Sequence, residues 1–253
     1  ELELELDMAI EWDDIGIIIS SRHYGESDVI LHVLTQYHGA HYGLVKGGAS
    51  RKRRAEFQIG NLINLKWKAR ILDNLGTYTC NLEYSFSAKF LDNSLIILQI
   101  LTLCSVANTV LTERERCDYI FKQAYHLLKN LDDNYWISHY TKWELNVLSH
   151  LGFGLSLDKC ALTGVKEELV YVSPKSGRAV SKNIGQPYSK KLLTLPQFLY
   201  NEKINAPSVK DMIDAMDLTE YFLLRHVYES NTNKIPNSRK RLRSNMIEKL
   251  ESN

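Results

Sequence analysis

Four consecutive cations, Arg51-Lys52-Arg53-Arg54, follow the turn-forming stretch Lys46-Gly47-Gly48-Ala49-Ser50. From Lys46 to Arg70 there are eight Lys or Arg residues against one acid, Glu56. A small β-module with so much unbalanced charge suits a polyanion, and nucleic acid is the first candidate. The plain alternative is a solvated loop with no partner.

Other residues that could do chemistry do not converge by spacing. There is no H-E-x-x-H, G-x-S-x-G or dinucleotide fingerprint. Gly43 to Gly48 misses the phosphate-loop register, because no lysine follows a glycine ahead of Ser or Thr. His23, His32, His38 and His41 lie close in sequence. They read as surface or turn histidines, with a metal site as the alternative. Asp13-Asp14 reads as a solvated lead-in to a strand. Trp136 and Trp143 share a helical face and read as core. An enzyme is therefore the weaker class, and no cofactor is called for.

The basic cluster must be carried by the elements around it. Short runs at 16–20, 28–35, 41–46, 61–68 and 77–84 alternate apolar and polar residues between Gly-bearing turns. Five such strands suit a small closed or partly open barrel. From about residue 87 the period becomes helical. Residues 91–111 are apolar almost all round and read as a central helix. Thr112 is placed to cap a helix over 113–131, and a third helix over 134–151 ends at Gly152. Residues 156–193 are irregular, with Gly and Pro interruptions and room for one hairpin. Ser208 and Asp211 form a capping-box pattern for a helix reaching about Tyr228. A last basic helix starts near Pro236.

The chain has 253 residues, 44% of them hydrophobic and 24% charged, an ordinary soluble composition. Residues 1–7 carry four acids and no base, and Met8 follows. They read as a leader added outside the native chain, with an amphipathic edge strand as the alternative. Without those four acids the net charge moves from +1 to +5. Cys80, Cys104, Cys117 and Cys160 have no C-x-x-C spacing, so reduced thiols in a cytoplasmic protein are the economical reading. The apolar stretch Leu95–Ala107 is shorter than the roughly 20 residues needed to span a bilayer. No secretory signal is evident, and the organisation divides into 8–86, then 87–155 with 194–253, around 156–193.

One ordered set of residues resembles a known family. It runs Gly16-Ile17-Ile18-Ile19-Ser20-Ser21-Arg22-His23-Tyr24-Gly25-Glu26-Ser27-Asp28, then Leu34-Thr35, His38-Gly39 and Leu44-Val45-Lys46-Gly47-Gly48. It continues with Lys142-Trp143-Glu144, Leu148, Leu151-Gly152-Phe153-Gly154, Cys160-Ala161-Leu162-Thr163-Gly164, and Pro236 with Ser238-Arg239. In order and spacing this resembles the bacterial RecO family of recombination mediators, over residues 15 to 250.

The resemblance implies an α+β chain. An N-terminal OB-fold barrel precedes a mainly helical domain interrupted by a zinc-finger-like insertion. It also implies binding to single- and double-stranded DNA, strand annealing, contact with RecR and with the C-terminal tail of single-stranded DNA-binding protein, and help in loading RecA. Some family members carry two Cys pairs for zinc. Here Thr163 stands at the second position and no cysteine follows Cys160, so a metal-free insertion is expected.

An OB barrel holds single strands with a basic groove and aromatic platforms. Candidate DNA contacts are Arg22, Lys46, Arg51, Lys52, Arg53, Arg54, Lys66 and Lys68, with Arg70 and Tyr24 nearby. Tyr42, Phe57 and Trp67 are candidate stackers or core residues. Ser173–Lys191 and Arg239–Arg243 offer second and third basic surfaces. Lys142 is the candidate cation for a partner peptide's terminal carboxylate, with a plain surface lysine as the alternative.

Overall fold

The computed structural model describes residues 10–71, 74–229 and 234–252. Residues 1–7, read above as an added leader, lie outside the described residues. Two compact units divide the chain, one up to Lys129 and one from Asn130.

The first unit is built on five strands: β1 (Ile10–Tyr24), β2 (Asp28–Thr35), β3 (Ala40–Val45), β4 (Leu62–Ala69) and β5 (Thr77–Tyr84). They close a barrel in the order β1-β2-β3-β5-β4, with β4 returning to β1. This strand order is that of an OB fold. β3 and β5 run parallel and pair only at Leu44 and Thr77, so the barrel gapes along that seam.

Alternation along each strand decides what lies inside. Leu31 and Val33 of β2, and Ile63, Leu65 and Trp67 of β4, point into one core with Ile18, Phe57 and Tyr78. Trp67 is fully buried, and its indole N–H is shared between the Tyr42 and Leu75 carbonyls at 3.2 Å each. Two glycines make room for the rings. A Cβ on Gly43 would come within 2.4 Å of the Tyr78 ring, and one on Gly76, at φ +67°, within 2.4 Å of the Trp67 ring.

β1 begins at Ile10, well before the expected 16–20, because its first half pairs with β4. A bulge between Ile18 and Ser20 separates that half from the part paired with β2. α1 (Ser94–Val110) follows, capped by the Asn93 side chain. α2 (Asp118–Lys129) starts five residues later than a Thr112 cap requires. Glu113 instead bridges Ala40, and Arg114 takes a positive φ of 64°. α1 and α2 belong to the barrel's compact unit. Asn108 Oδ1 of α1 accepts a hydrogen bond from His32 Nδ1 of β2 at 2.7 Å, and a Cβ on Gly60 would strike Ile100. The expected boundary at 86 thus marks the change from strand to helix, whereas compactness divides the chain after Lys129.

The second unit is mainly helical. It contains α3 (Trp136–His150), α4 (Lys182–Gly185), α5 (Val209–Leu223) and α6 (Asn237–Glu251). Trp136 and Trp143 are buried in its core. α5 carries the expected capping box of Ser208 and Asp211, and runs into a π turn over Leu224–Tyr228. The irregular insertion holds three short strands, β6 (Leu169–Val172), β7 (Ala179–Ser181) and β8 (Leu193–Thr194), in the order β7-β6-β8. Among the described residues, no helix is long and apolar enough to cross a membrane.

Candidate nucleic-acid interface

The basic cluster sits in the connection between β3 and β4. Its chain folds tightly: the N–H groups of Arg53 and Arg54 both donate to the Ser50 carbonyl, at 3.0 and 2.9 Å. The connection is tied to the β1–β2 hairpin at its start. Asp28 Oδ1 accepts the Gly47 N–H at 2.8 Å, and the Ala49 N–H donates to the Ser27 carbonyl at 2.8 Å. The Gly47 N–H, then the Ser27 hydroxyl, hold the Asp28 carboxyl below its usual pKa despite some desolvation. Gly47, at φ +65°, makes the corner.

This lacing brings the candidate cations into two groups. Lys46, Arg51, Lys52 and Arg54 are exposed, and among the described residues they make no ion pair. The hairpin beside them presents Arg22 and Tyr24, the latter 55% exposed. Lys66 and Lys68 stand on the outer face of β4, opposite Thr79 and Thr77 of β5. Each also faces an acid on β1: Lys66 is 3.6 Å from Asp13 and Lys68 is 3.7 Å from Glu11. Arg70 is exposed at the end of β4.

Arg53 differs from its neighbours. Its Nη2 donates to the Cys80 carbonyl of β5 at 3.2 Å, and its Nε to Glu56 Oε2 at 3.3 Å. Its guanidinium lies 4.8 Å from the centre of the buried Phe57 ring.

The gape between β3 and β5 forms a cleft of about 520 Å³. Lys46, Arg53 and Glu56 line one side, and Thr77, Thr79 and Asn81 of β5 the other. A second hollow, lined by Asp13, Tyr37, Asn64 and Lys66, shares Thr79 and Asn81 with the first. The two hollows adjoin at Thr79 and Asn81 of β5, between the basic turn and β4. The hydroxyl and amide groups of β5 were absent from the sequence-based set. Their outward alternation, Thr77-Thr79-Asn81, was the signal that could have found them.

The expected stackers fall out differently. Phe57 and Trp67 are core residues, 3% and 0% exposed. Tyr42 is half-buried with one face stacked on His32 at 3.9 Å. Tyr24 is the exposed ring beside the basic turn.

The histidines are mostly committed to packing. His41 is buried edge-on to Trp12 and Trp67, and burial drives its pKa down to about 4. His38 stacks on Trp12 and lies 2.7 Å from Asp14. Asp14 is no solvated lead-in: its side chain is 1% exposed and also accepts the Tyr37 N–H. No cluster of three potential metal ligands occurs among the described residues.

In the second unit, Lys142 is half-buried with its ammonium 5.8 Å from the Phe198 ring centre. Lys175, Arg178, Lys182, Lys190 and Lys191 of the insertion are all exposed. The third basic surface is not one. Arg239 is fully buried, and Arg243 is paired with Asp217, which leaves Lys240 and Arg241 exposed.

Two family models match the chain: recombination protein O N terminal over residues 8–86, and recombination protein O C terminal over residues 97–234. This chain belongs to the recombination protein O family. Relatives named DNA repair protein RecO agree. That of Bradyrhizobium diazoefficiens is 42% identical over 87% of this chain and 88% of its own. That of Mesorhizobium japonicum is 38% identical over 91% of each. That of Bartonella quintana is 36% identical over 96% of this chain and 98% of its own. The β3–β4 connection of this RecO-family chain carries four exposed cations, Lys46, Arg51, Lys52 and Arg54, that make no ion pair among the described residues.

Proposed function

We propose that this chain is a DNA repair and recombination mediator that binds nucleic-acid backbones through its OB barrel. The observation that carries the reading is the set Lys46, Arg51, Lys52 and Arg54: exposed, unpaired among the described residues, and set beside the open β3–β5 cleft. Phosphates on such a surface release counterions, so binding is insensitive to sequence and steeply dependent on salt. Thr77, Thr79 and Asn81 add hydrogen-bonding groups, and Tyr24 adds one exposed ring for a base.

Annealing follows from the same chemistry. Neutralising two backbones lowers their repulsion and consumes no nucleotide. The exposed cations of the insertion supply a second surface for another strand. The chain acts by binding, without a covalent step or a cofactor. We take its partners to be RecR and the tail of single-stranded DNA-binding protein, its outcome to be RecA loading and its place to be the bacterial cytoplasm, as the resemblance implies. Lys142 remains the candidate for the tail's carboxylate. It is half-buried with its ammonium 5.8 Å from the ring centre of the buried Phe198, and such a peptide end pairs with a cation.

The alternative is an adaptor with no intrinsic DNA activity. Fluorescence anisotropy with labelled oligonucleotides across a salt series separates the two. The mediator gives a steep negative slope of log affinity against log salt. An adaptor gives no binding even at low salt. Replacing Arg51, Lys52 and Arg54 together with Gln should cut the slope for single strands by about 2, at roughly 0.7 per lost phosphate contact.

A further inference from the structure

Arg53 sits in the middle of the basic run, yet its three contacts all point inward. Its Nη2 reaches the Cys80 carbonyl on β5 at 3.2 Å, its Nε reaches Glu56 at 3.3 Å, and its guanidinium covers Phe57 at 4.8 Å. The Cys80 carbonyl lies on the side of β5 that β3 leaves unpaired, since those strands meet only at Leu44 and Thr77. Arg53 therefore bridges the gap where a strand partner is missing. Glu56, three residues on, fixes the plane of its guanidinium, and the apolar ring beneath it favours a flat, delocalised cation.

We infer that Arg53 is a positioning residue, not a phosphate contact: it pins the basic turn to β5 and so aims Arg51, Lys52 and Arg54 along the cleft. The turn is thereby held at both ends. Asp28 fixes its start through the Gly47 N–H, and Arg53 fixes its finish through β5. Freed from that finish, the three cations still reach phosphates, but they must be ordered at the moment of binding. The number of counterions released stays the same while the affinity falls. This inference rests on the proposed DNA-binding role of the turn.

Two variants separate a brace from a phosphate contact. Arg53→Lys keeps the charge but cannot hold a carbonyl, a carboxylate and a ring face at once. Glu56→Gln removes a negative charge from the cleft, which by electrostatics alone tightens DNA. The brace requires both to weaken single-strand binding, roughly 3- to 10-fold, with an unchanged salt slope. Amide exchange should also quicken over residues 50–56, without a shift in the melting temperature of the whole chain. Wild-type affinity for Arg53→Lys, equal or tighter binding for Glu56→Gln, or a shallower slope in either would overturn the inference. The triple Gln replacement of Arg51, Lys52 and Arg54 is the control. If it leaves the slope intact, it is the DNA-binding reading of the turn that fails, not the role of Arg53 within it.

Discussion

Arg239 and Glu144 meet side by side in the interior of the second unit, 95 residues apart in sequence. Nε lies 2.7 Å from Oε1 and Nη2 lies 2.9 Å from Oε2, and neither side chain is exposed. Each remaining lone pair is used. Tyr140 donates to Oε1 and Thr219 to Oε2, while Arg239 also reaches Glu220 and the Met216 carbonyl. The pair ties the start of α6 to α3 and α5. Burial opposes the charge on Arg239, and the Glu144 carboxylate beside it outweighs that cost, so Arg239 stays charged.

Removing one member strands the other in a dry site. Arg239→Met should therefore destabilise the second unit by about 3–5 kcal/mol. Adding Glu144→Met to it should recover most of that loss, because two apolar chains of similar size can replace a buried pair. Thermal denaturation of both variants checks the sign. An Arg239→Met protein as stable as the wild type would contradict the arrangement.

These contacts also show where the sequence was legible. The barrel was readable because its strands alternate locally and its turns carry glycine. The first half of β1 was not, because Asp13 and Asp14 look like solvent-facing residues until Lys66 and His38 are brought to them. Thr112 looked like a cap because nothing local shows that Glu113 bridges Ala40. Arg239 is the sharpest case. It shares a buried helical face with Leu242 and Met246, a spacing that was visible, but an arginine in a basic run is ordinarily read as surface. Its partner lies a whole helix bundle away in sequence. The basic turn was legible as charge. Arg53's separate place within it was not, since the Cys80 carbonyl belongs to a strand 27 residues on.

The acids on β1 temper the far end of the cleft. Asp13 and Glu11 lie within 4 Å of Lys66 and Lys68 and would repel a backbone crossing β4. Asp13→Asn with Glu11→Gln should tighten single-strand binding and steepen the salt slope by up to about 1.4, at roughly 0.7 for each lysine freed. Anisotropy titrations at several salt concentrations measure this. An unchanged slope would remove Lys66 and Lys68 from the DNA path and confine it to the β3–β5 cleft.

His41 makes the barrel sensitive to acid. Its ring is buried between Trp12 and Trp67, and its pKa falls to about 4 from 6.5. Between those values the unfolded chain binds the proton more readily than the folded one. Stability is thus fully present above about pH 6.5 and is lost as pH falls toward 4. The loss is at most about 3 kcal/mol, and less after screening by nearby water. His41→Phe keeps an edge against both indoles and removes the titrating group. Its urea midpoint should vary less with pH across that window, and an equally steep dependence would place the sensitivity elsewhere.

Cys160 is the one cysteine of the 156–193 insertion and stands at the first position of a turn. Here the turn closes on itself: the Gly164 N–H donates to the Cys160 carbonyl at 2.9 Å, and the Ser181 N–H donates to Sγ at 3.4 Å. Burial raises the thiol pKa, but hydrogen bonds led by those from Thr163 and Ser181 bring it down to about 6. The sulfur is thus an acceptor that its surroundings already satisfy. One thiolate cannot supply a four-ligand zinc site. Purified protein should hold no stoichiometric zinc, and a chelator should leave its melting temperature unchanged. Cys160→Ala should cost about 1–3 kcal/mol by orphaning the Ser181 and Thr163 donors, whereas Cys160→Ser restores an acceptor and should cost less. Zinc at one equivalent by elemental analysis, or a chelator-induced fall in melting temperature, would show that the turn recruits a metal after all.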